Sequence, residues 1–377
     1  MKSRIMTSFI ISILMLAGGC TNLSIGTDPP ETDTPYRDTL VTQFFKRETG
    51  LVAGDGGFSI PLPDERVLWL FGDSFIDHFD PKTGTIPCLF QVRNAGLIQP
   101  AGNWEAEETK TLLQSGQRRD LFHRTDDPKD RFFWPGSGLV IGDSLFIYMH
   151  SFRNTGTGGP FGFEAVEPEM WARAPLSDPT DIIYIPLPDM DGISFGEGFV
   201  IDEQDRYVYA YGSRLEFIEG AVFVARFPMD HPLRWTFWDG ETWQPEASKA
   251  RKIGMGASNG VHVSKIRDQY LLLSAGFSVA CDQGKEIYAA VSRSPTGPFS
   301  ERKIIYELDD TVQGHYPFFY LPVAHPHDIN EQEELLITYS INGYEDCLPN
   351  CTDGRRDPDT YRLQAFRMPV KTLRDLE

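Results

Sequence analysis

Short apolar runs of β-forming residues recur along the chain, whereas patterns with a helical period are almost absent. One run stands out in each of five groups, and the starts of these runs lie 63 to 77 residues apart. A repeat of this length leaves room for four strands and their loops. The five runs are residues 67–71, 144–148, 207–211, 270–274 and 334–338.

Each run follows another apolar segment across a polar turn, and in several groups a third strand follows it. The upstream segments are residues 58–62, 139–141, 199–201, 261–263 and 318–323. Groups of strands joined by hairpins and repeated five times are typical of propeller blades. The pattern therefore predicts an all-β fold, a five-bladed β-propeller over residues 41–377. A double β-sandwich is the alternative, but it does not predict five evenly spaced copies.

The innermost strands of a propeller run in the same direction, so the residues that precede them gather at one end of the axial channel. In this chain those residues differ between blades, while glycines recur beside them and permit close approach of a ligand. The pattern predicts an acidic, hydrogen-bonding pocket in this ring. Its predicted members are Asp55, Ser137, Glu197, Asn259 and His315.

Asp73 joins this ring through the geometry of a hairpin. The turn of the first blade is centred near Asp64, and Asp55 and Asp73 lie nine residues on either side of it. Opposed residues of a hairpin have Cβ atoms about 4.5–5.5 Å apart. Two carboxylates this close raise the proton affinity of one another, so one can act as an acid and the other as a nucleophile. Turn or capping roles are the structural alternatives for both.

Other candidate residues have structural roles as alternatives. For Glu197 the structural alternative is an ion pair with Arg214. Trp134, Trp171 and Tyr316 are candidate platforms for the face of a sugar ring, whereas Trp235 and its neighbouring tryptophans are expected to pack inside a blade.

The N-terminal segment predicts export. Lys2 and Arg4 precede an apolar run that is too short to span a bilayer. The run ends in the sequence Leu-Ala-Gly-Gly-Cys, which resembles a bacterial lipobox. We therefore expect a lipoprotein signal peptide at 1–19 and an acylated Cys20, followed by a flexible tether over 20–40. An ordinary secretory signal is the alternative. The predicted location is the outer membrane or the cell surface, or the periplasm if the protein is not surface-exposed.

The net charge of −19 argues against nucleic acid and anionic lipid as partners. We expect a monomer that contacts the membrane only through its lipid. We expect no cofactor or metal, and the alternative is a Ca²⁺ or Na⁺ ion in the axial channel. Besides Cys20 there are four cysteines. Closure of a small loop by Cys347 and Cys351 is one conceivable pairing, and a bond between Cys88 and Cys281 is another.

The layout resembles that of the five-bladed propeller glycosidases, which include arabinanases, β-xylosidases and invertases. More specifically, the segments 53–57 (Ala-Gly-Asp-Gly-Gly) and 68–75 (Leu-Trp-Leu-Phe-Gly-Asp-Ser-Phe) look like those of a propeller family described as a domain of unknown function. Some members of that family are endo-D-arabinanases. The resemblance implies that Asp55 and Asp73 are the carboxylate pair.

The sequence therefore predicts a retaining glycoside hydrolase that acts on a neutral, arabinan-type or other glycan. Asp73 is expected to be the nucleophile and Asp55 the acid/base, or the reverse. Glu197, Asn259 and His315 would orient the sugar or tune the pair, and Trp134, Ser137 and Tyr316 would line the pocket. Three alternatives stay open. One is an inverting enzyme with Asp55 as base and Glu197 as acid, another is a surface glycan-binding lipoprotein without activity, and the third is a structural or partner-binding propeller.

Overall fold

Five antiparallel sheets follow one another along the chain and form the five blades of a β-propeller, which confirms the predicted fold. The computed structural model describes residues 33–116, 119–124, 131–156, 162–258, 260–278, 280–309, 311–343 and 351–377. The predicted signal peptide, Cys20 and Asn259 lie outside the described residues.

The strands follow the predicted order, with strands from each group forming one sheet. The chain enters through β1 (Tyr36–Arg37) and α1 (Thr39–Phe44). The region of blade one contains β2 (Leu51–Pro61), β3 (Val67–Ile76), β4 (Ile86–Pro87), β5 (Ala95–Gln99) and β6 (Lys110–Leu112). Blade two contains β7 (Phe132–Ile141), β8 (Ser144–Asn154), β9 (Phe163–Ala165), β10 (Met170–Pro175) and β11 (Ile183–Pro186).

The remaining strands complete the other three blades. Blade three contains β12 (Ser194–Asp202), β13 (Tyr207–Glu216), β14 (Glu219–Pro228), β15 (Thr236–Trp238), β16 (Trp243–Gln244) and β17 (Gly254–Gly256). Blade four contains β18 (His262–Ile266), β19 (Gln269–Ala275), β20 (Glu286–Ser292) and β21 (Lys303–Glu307). The region of blade five contains β22 (Phe318–Ile329), β23 (Glu334–Asn342), β24 (Arg355–Arg356) and β25 (Gln364–Pro369), and α2 (Thr372–Asp375) comes after it.

The first and last strands close the ring of blades. Strand β1 pairs with β25 and becomes the outermost strand of blade five. Asp38 then caps α1, because its Oδ1 accepts a hydrogen bond from the amide of Val41 over 2.9 Å. The other carboxylate oxygen of Asp38 pairs with Arg367 of β25 at 2.8 Å. Strand β1 therefore adds Tyr36 and Arg37 to the sheet of blade five.

The hydrophobic core lies mainly between neighbouring blades. The innermost strands β2, β7, β12, β18 and β22 contact one another in a closed ring. Five large clusters of buried side chains each join two adjacent blades, so that each blade is held by both of its neighbours. Trp171 and Trp235 belong to the cluster between blades two and three. Trp171 is fully buried, so its predicted role as a sugar platform is wrong, whereas the packing role predicted for Trp235 is confirmed.

Four inner strands are irregular near the mouth of the propeller, which we define as the channel end where these strands begin. The register shifts between Gly54 and Gly56 in β2 and between Pro135 and Gly138 in β7. Similar shifts follow Phe195 in β12 and Tyr320 in β22. A β-bulge turns side chains out of the regular alternation, and these bulges contain Asp55, Ser137 and Glu197.

A second link joins blades one and five at the mouth. Strand β4 pairs with β24, and a disulfide joins Cys88 to Cys351. Neither of the two pairings considered from the sequence is present, because Cys88 and Cys351 each bond to the other. Cys281 is disulfide-bonded as well. The link ties the loop after β3 to the segment that leads into β25.

Candidate active site

Asp55 and Asp73 lie together on the hairpin of β2 and β3, as the symmetry of the turn predicts. The strand register is symmetric about Asp64 on both sides of the bulge, because Ser59 pairs with Trp69 and Gly54 pairs with Ser74. Asp55 extends over the partner strand at Gly72. A Cβ atom at Gly72 would lie 2.6 Å from Oδ1 of Asp55, so glycine is needed there for this approach.

Two tyrosine hydroxyls hold the carboxylate of Asp55. Tyr320 of β22 donates a hydrogen bond of 2.7 Å to Oδ2, and the hydroxyl of Tyr361 also hydrogen-bonds to this side chain. Burial raises the pKa of Asp55, and the two tyrosines act in the opposite direction because they stabilise the charged form. Blade five thus supports the carboxylate of blade one.

Asp73 is held from two directions. Nη1 of Arg93 lies 3.3 Å from Oδ1 and 3.2 Å from Oδ2, and the indole N–H of Trp134 donates to Oδ1 over 3.0 Å. Burial and the charge of Asp55 raise the pKa of Asp73 to about 7, against the opposing effects of Arg93 and Trp134. The side chain keeps 13% of its surface exposed, so it stays accessible from solvent.

The electrostatic coupling between these carboxyl groups defines what the site can do. Each proton on one group favours ionisation of the other, so the pair titrates as a unit. With the pKa of Asp73 at about 7, the pair can hold one proton near neutral pH. Such a site can supply an acid and an ionised carboxylate to the same substrate bond.

Glu197 is the third carboxyl group of the predicted site, and it lies in the bulge of β12. The hydroxyl of Ser213 donates to its Oε1 over 2.8 Å, while its buried Oε2 has no hydrogen-bond partner among the described residues. Burial raises the pKa of Glu197 well above its usual value, although Ser213 and the Val261 amide oppose this shift. The alternative ion pair with Arg214 does not form, because Arg214 pairs with Asp191.

The other predicted residues are not all brought together. Trp134 contacts Asp73, and Ser137 is buried in the bulge of β7. His315 and Tyr316 lie in the loop before β22, where Nδ1 of His315 pairs with Asp282 at 2.8 Å and the amide of Tyr316 donates to the same carboxylate over 2.9 Å. His315 was predicted to be the ring residue of blade five, but the bulge of β22 follows Tyr320, and Tyr320 is the residue that reaches Asp55.

A further polar pair lies at the mouth end of blade two. His150 is paired in register with Trp134, and its Nδ1 lies 4.0 Å from Oε1 of Glu169. Burial raises the pKa of Glu169 to about 8 and lowers the pKa of His150 to about 4. Both groups are therefore stabilised in their neutral forms.

Neither a metal cluster nor a membrane-spanning helix occurs in the described part of the chain. No group of three or more His, Cys, Asp or Glu side chains there could hold a metal ion. No helix in those same residues is long and apolar enough to cross a membrane.

The fold and the site define a five-bladed β-propeller with two coupled carboxyl groups at its mouth. The chain belongs to the family described as "Domain of unknown function (DUF5005)", whose model matches residues 38–369. The family is thus a domain-of-unknown-function group, as the motifs of blade one predicted. No curated protein matches the chain.

Solved structures share the propeller. One is a candidate hydrolase from Bacteroides ovatus ATCC 8483, with 21% identity and a TM-score of 0.72 over 90% of this chain and 92% of that one. Another is an exo-β-1,3-galactanase from Phanerochaete chrysosporium with bound galactose, with 9% identity and a TM-score of 0.50 over 88% of this chain and 64% of that one. An endo-arabinase from Bacteroides thetaiotaomicron VPI-5482 matches with 12% identity and a TM-score of 0.47, over 86% of this chain and 97% of that one.

Proposed function

We propose that this protein is a glycoside hydrolase that cleaves a neutral oligosaccharide or polysaccharide at the mouth of the propeller. The observation that carries the proposal is the buried, coupled pair of Asp55 and Asp73, in which burial and the charge of Asp55 raise the pKa of Asp73 to about 7. A buried pair of this kind supplies both proton transfer and a carboxylate at one bond. The carbohydrate ligands named for proteins of similar fold, such as galactose, agree with a sugar as the substrate.

The contacts favour one division of roles within the pair. Tyr320 and Tyr361 stabilise the ionised form of Asp55, whereas the pKa of about 7 lets Asp73 carry a proton near neutral pH. Asp73 then protonates the glycosidic oxygen while a carboxylate oxygen of Asp55 attacks the anomeric carbon. The leaving alcohol departs, and Asp73 next removes a proton from water that hydrolyses the glycosyl ester and frees Asp55.

Glu197 supports a second, inverting mechanism. Burial raises its pKa and so favours the protonated form, and its Oε2 lacks a hydrogen-bond partner among the described residues. Glu197 would protonate the leaving oxygen while Asp55 activates a water molecule on the other face of the sugar. Strand β7 lies between β2 and β12 in the ring, so the two carboxyl groups belong to blades that are not adjacent. Inverting enzymes need such extra separation for the water.

The proposal includes the location of the enzyme. Lipidation of Cys20 after removal of residues 1–19 would hold the propeller at the outer membrane or the cell surface, where glycans are accessible. Labelling of cells with a radioactive or clickable fatty acid tests this step. Wild-type protein should carry the label and the Cys20→Ala variant should not, and an unlabelled wild type would contradict the anchor.

A panel of arabino-, galacto-, xylo- and fructo-oligosaccharides and their parent polysaccharides tests the activity. We expect wild-type turnover to fall by about 10²–10⁴-fold in Asp55→Asn and in Asp73→Asn. Proton NMR of the first product separates the mechanisms, because a retained anomer requires a nucleophile within the pair of Asp55 and Asp73, whereas an inverted one implicates Glu197. Turnover that persists in both variants would overturn the proposal. Binding without any wild-type turnover would identify a glycan-binding protein instead.

A further inference from the structure

A group of aromatic side chains lies beside Asp73 and outside the interblade cores. Trp134, Phe152 and Phe163 are partly exposed, and we call these three the blade-two wall. The ring centroid of Trp134 lies 4.6 Å from that of Phe152 and 4.8 Å from that of Phe163. None of the three belongs to a hydrophobic core cluster, whereas Phe133, on the opposite face of β7, is fully buried in the core between blades one and two.

The strand register places the wall on the face of blade two that meets the carboxylates. Trp134 pairs with His150 on β8, and residues directly opposed in a sheet share a face. Phe152 lies two residues after His150, so it has the same orientation. Its ring also stacks on Phe132 at 5.7 Å. Since Trp134 donates to Asp73, the face that continues to Phe152 and Phe163 leads outward from the site.

An additional strand builds the outer part of this wall. Strand β9 lies off the main strand path of blade two and pairs with the mouth end of β8, where Phe163 opposes Asn154. The four-stranded path already completes the blade, so the added strand is not needed to close its sheet. Its effect at the mouth is to place Phe163 against Trp134 and Phe152.

Polar groups lie along the edge of the wall that faces blade one. The guanidinium of Arg93 lies 4.1 Å above the ring of Phe132, and its Nη1 contacts Asp73. Its Nη2 donates to Oδ1 of the exposed Asn154 over 3.0 Å. Apolar ring faces bordered by planar hydrogen-bonding groups suit a sugar, whose C–H face packs on an aromatic ring while its hydroxyls bind at the edge.

We propose that the blade-two wall is a sugar-binding subsite next to the reacting one, which takes a neighbouring residue of an oligosaccharide. The proposal rests on the proposed glycosidase function and extends it, because it makes a chain of sugars the substrate. A simple aryl glycoside, which has one sugar, would leave the wall unoccupied.

The subsite is tested by comparing kcat/KM for two substrates that contain the sugar the enzyme cleaves. One is an oligosaccharide and the other is an aryl glycoside with a single sugar. We expect Phe163→Ala to lower kcat/KM for the oligosaccharide by about tenfold, the effect of exposing one ring face that the sugar had covered. The same variant should change kcat/KM for the aryl monoglycoside by less than about twofold. Phe163→Tyr keeps the ring and should restore the oligosaccharide rate. Phe217→Ala, at the exposed tip between β13 and β14, is the matched control and should leave both rates unchanged.

Two results would overturn the subsite. One is an equal loss on both substrates in Phe163→Ala with no rescue by Phe163→Tyr, which would show a structural role. The other is an unchanged oligosaccharide rate in Phe163→Ala and in Phe152→Ala. Binding of oligosaccharides to Asp55→Asn, measured by calorimetry with and without Phe163→Ala, keeps the two proposals distinguishable. Weakened binding supports the subsite even if wild type proves inactive, whereas unaffected binding rejects the subsite while turnover can still stand.

Discussion

Trp134 of blade two donates its indole N–H to Oδ1 of Asp73 in blade one over 3.0 Å. Arg93 approaches the same carboxylate at 3.2 Å from the other direction. Both contacts stabilise the ionised form, and they oppose the burial and the charge of Asp55 that raise the pKa of Asp73 to about 7. The protonation of Asp73 is therefore set jointly by two blades and a loop.

Removal of either contact should move the basic limb of the pH–rate profile. Trp134→Phe or Arg93→Gln removes a group that favours the ionised carboxylate, so the pKa of Asp73 rises. If Asp73 is the proton donor, activity should persist to higher pH, with the basic limb displaced upward by up to about one unit. Profiles of kcat/KM from pH 4 to 10 measure the shift, with Trp243→Phe as control. If the basic limb of the profile is unchanged in both variants, Asp73 is not the proton donor and Glu197 becomes the candidate for that role.

The acidic limb should report Asp55. Tyr320→Phe removes the 2.7 Å hydrogen bond to Oδ2, which stabilises the ionised form. The pKa of Asp55 then rises, so the acidic limb of kcat/KM should move to higher pH and the rate below neutrality should fall by about tenfold. Tyr288→Phe, in blade four, provides a matched loss of a hydroxyl. Identical acidic limbs in wild type and Tyr320→Phe would mean that Asp55 does not act in its ionised form.

Local periodicity was enough to predict the blades and their order. The period-two pattern of each strand and the polar turns between strands are signals that lie within a few residues of one another. Hairpin symmetry also predicts the meeting of Asp55 with Asp73, because a turn fixes the register of its own two strands. These relationships need no knowledge of other blades.

Residues that reach the site from other parts of the chain were missed. Tyr320 was overlooked because the ring residues of the other blades lie beside glycines, and this favoured His315, which follows Gly314, as the equivalent. In the structure Leu321 takes the positive φ of 52° in blade five. The run of three aromatic residues from Phe318 to Tyr320 at the start of β22 was the available signal. Arg93 follows no strand pattern, since it lies in the loop before β5, and Tyr361 reaches Asp55 only through the closure of the ring.

Buried carboxyl groups should make the fold less stable in alkaline solution. Burial raises the pKa of Glu169 to about 8, so its native form keeps a proton that the unfolded chain releases near its ordinary value. This favours folding at low pH, and the benefit is lost as the pH rises through about 8. Below about 6.5 the buried His150 acts in the opposite direction, because its native pKa is lowered to about 4. The free energy of unfolding should therefore be compared between pH 6.5 and pH 9.

Urea unfolding at both ends of this range provides the measurement. The free energy of unfolding of wild type should fall from pH 6.5 to 9, and Glu169→Gln should remove a part of that fall on the order of a few kcal/mol. Glu164→Gln alters an exposed carboxylate paired with Arg153 and should leave the slope as in wild type. Equal slopes in all three proteins would show that Glu169 is ionised in the native state.

The disulfide between Cys88 and Cys351 should affect both stability and Asp55. It joins positions separated by 263 residues, and loss of a native disulfide typically costs about 2–5 kcal/mol of unfolding free energy. From Cys351 the chain continues through β24 to Tyr361, whose carbonyl accepts the amide of Gly54 over 3.1 Å and whose hydroxyl bonds to Asp55. Loss of the disulfide should therefore weaken the hydrogen bond between Tyr361 and Asp55.

Replacement of both cysteines by serine tests this connection without leaving a free thiol from the pair. We expect a lower melting temperature and an acidic limb of kcat/KM displaced upward, in the same direction as in Tyr361→Phe. Combining the serine replacements with Tyr361→Phe should give no further displacement of the limb, because both changes remove the same support from Asp55. A loss of stability with an unchanged acidic limb would show that the disulfide only braces blades one and five. Additive displacements would show that it acts on the site by a route other than Tyr361.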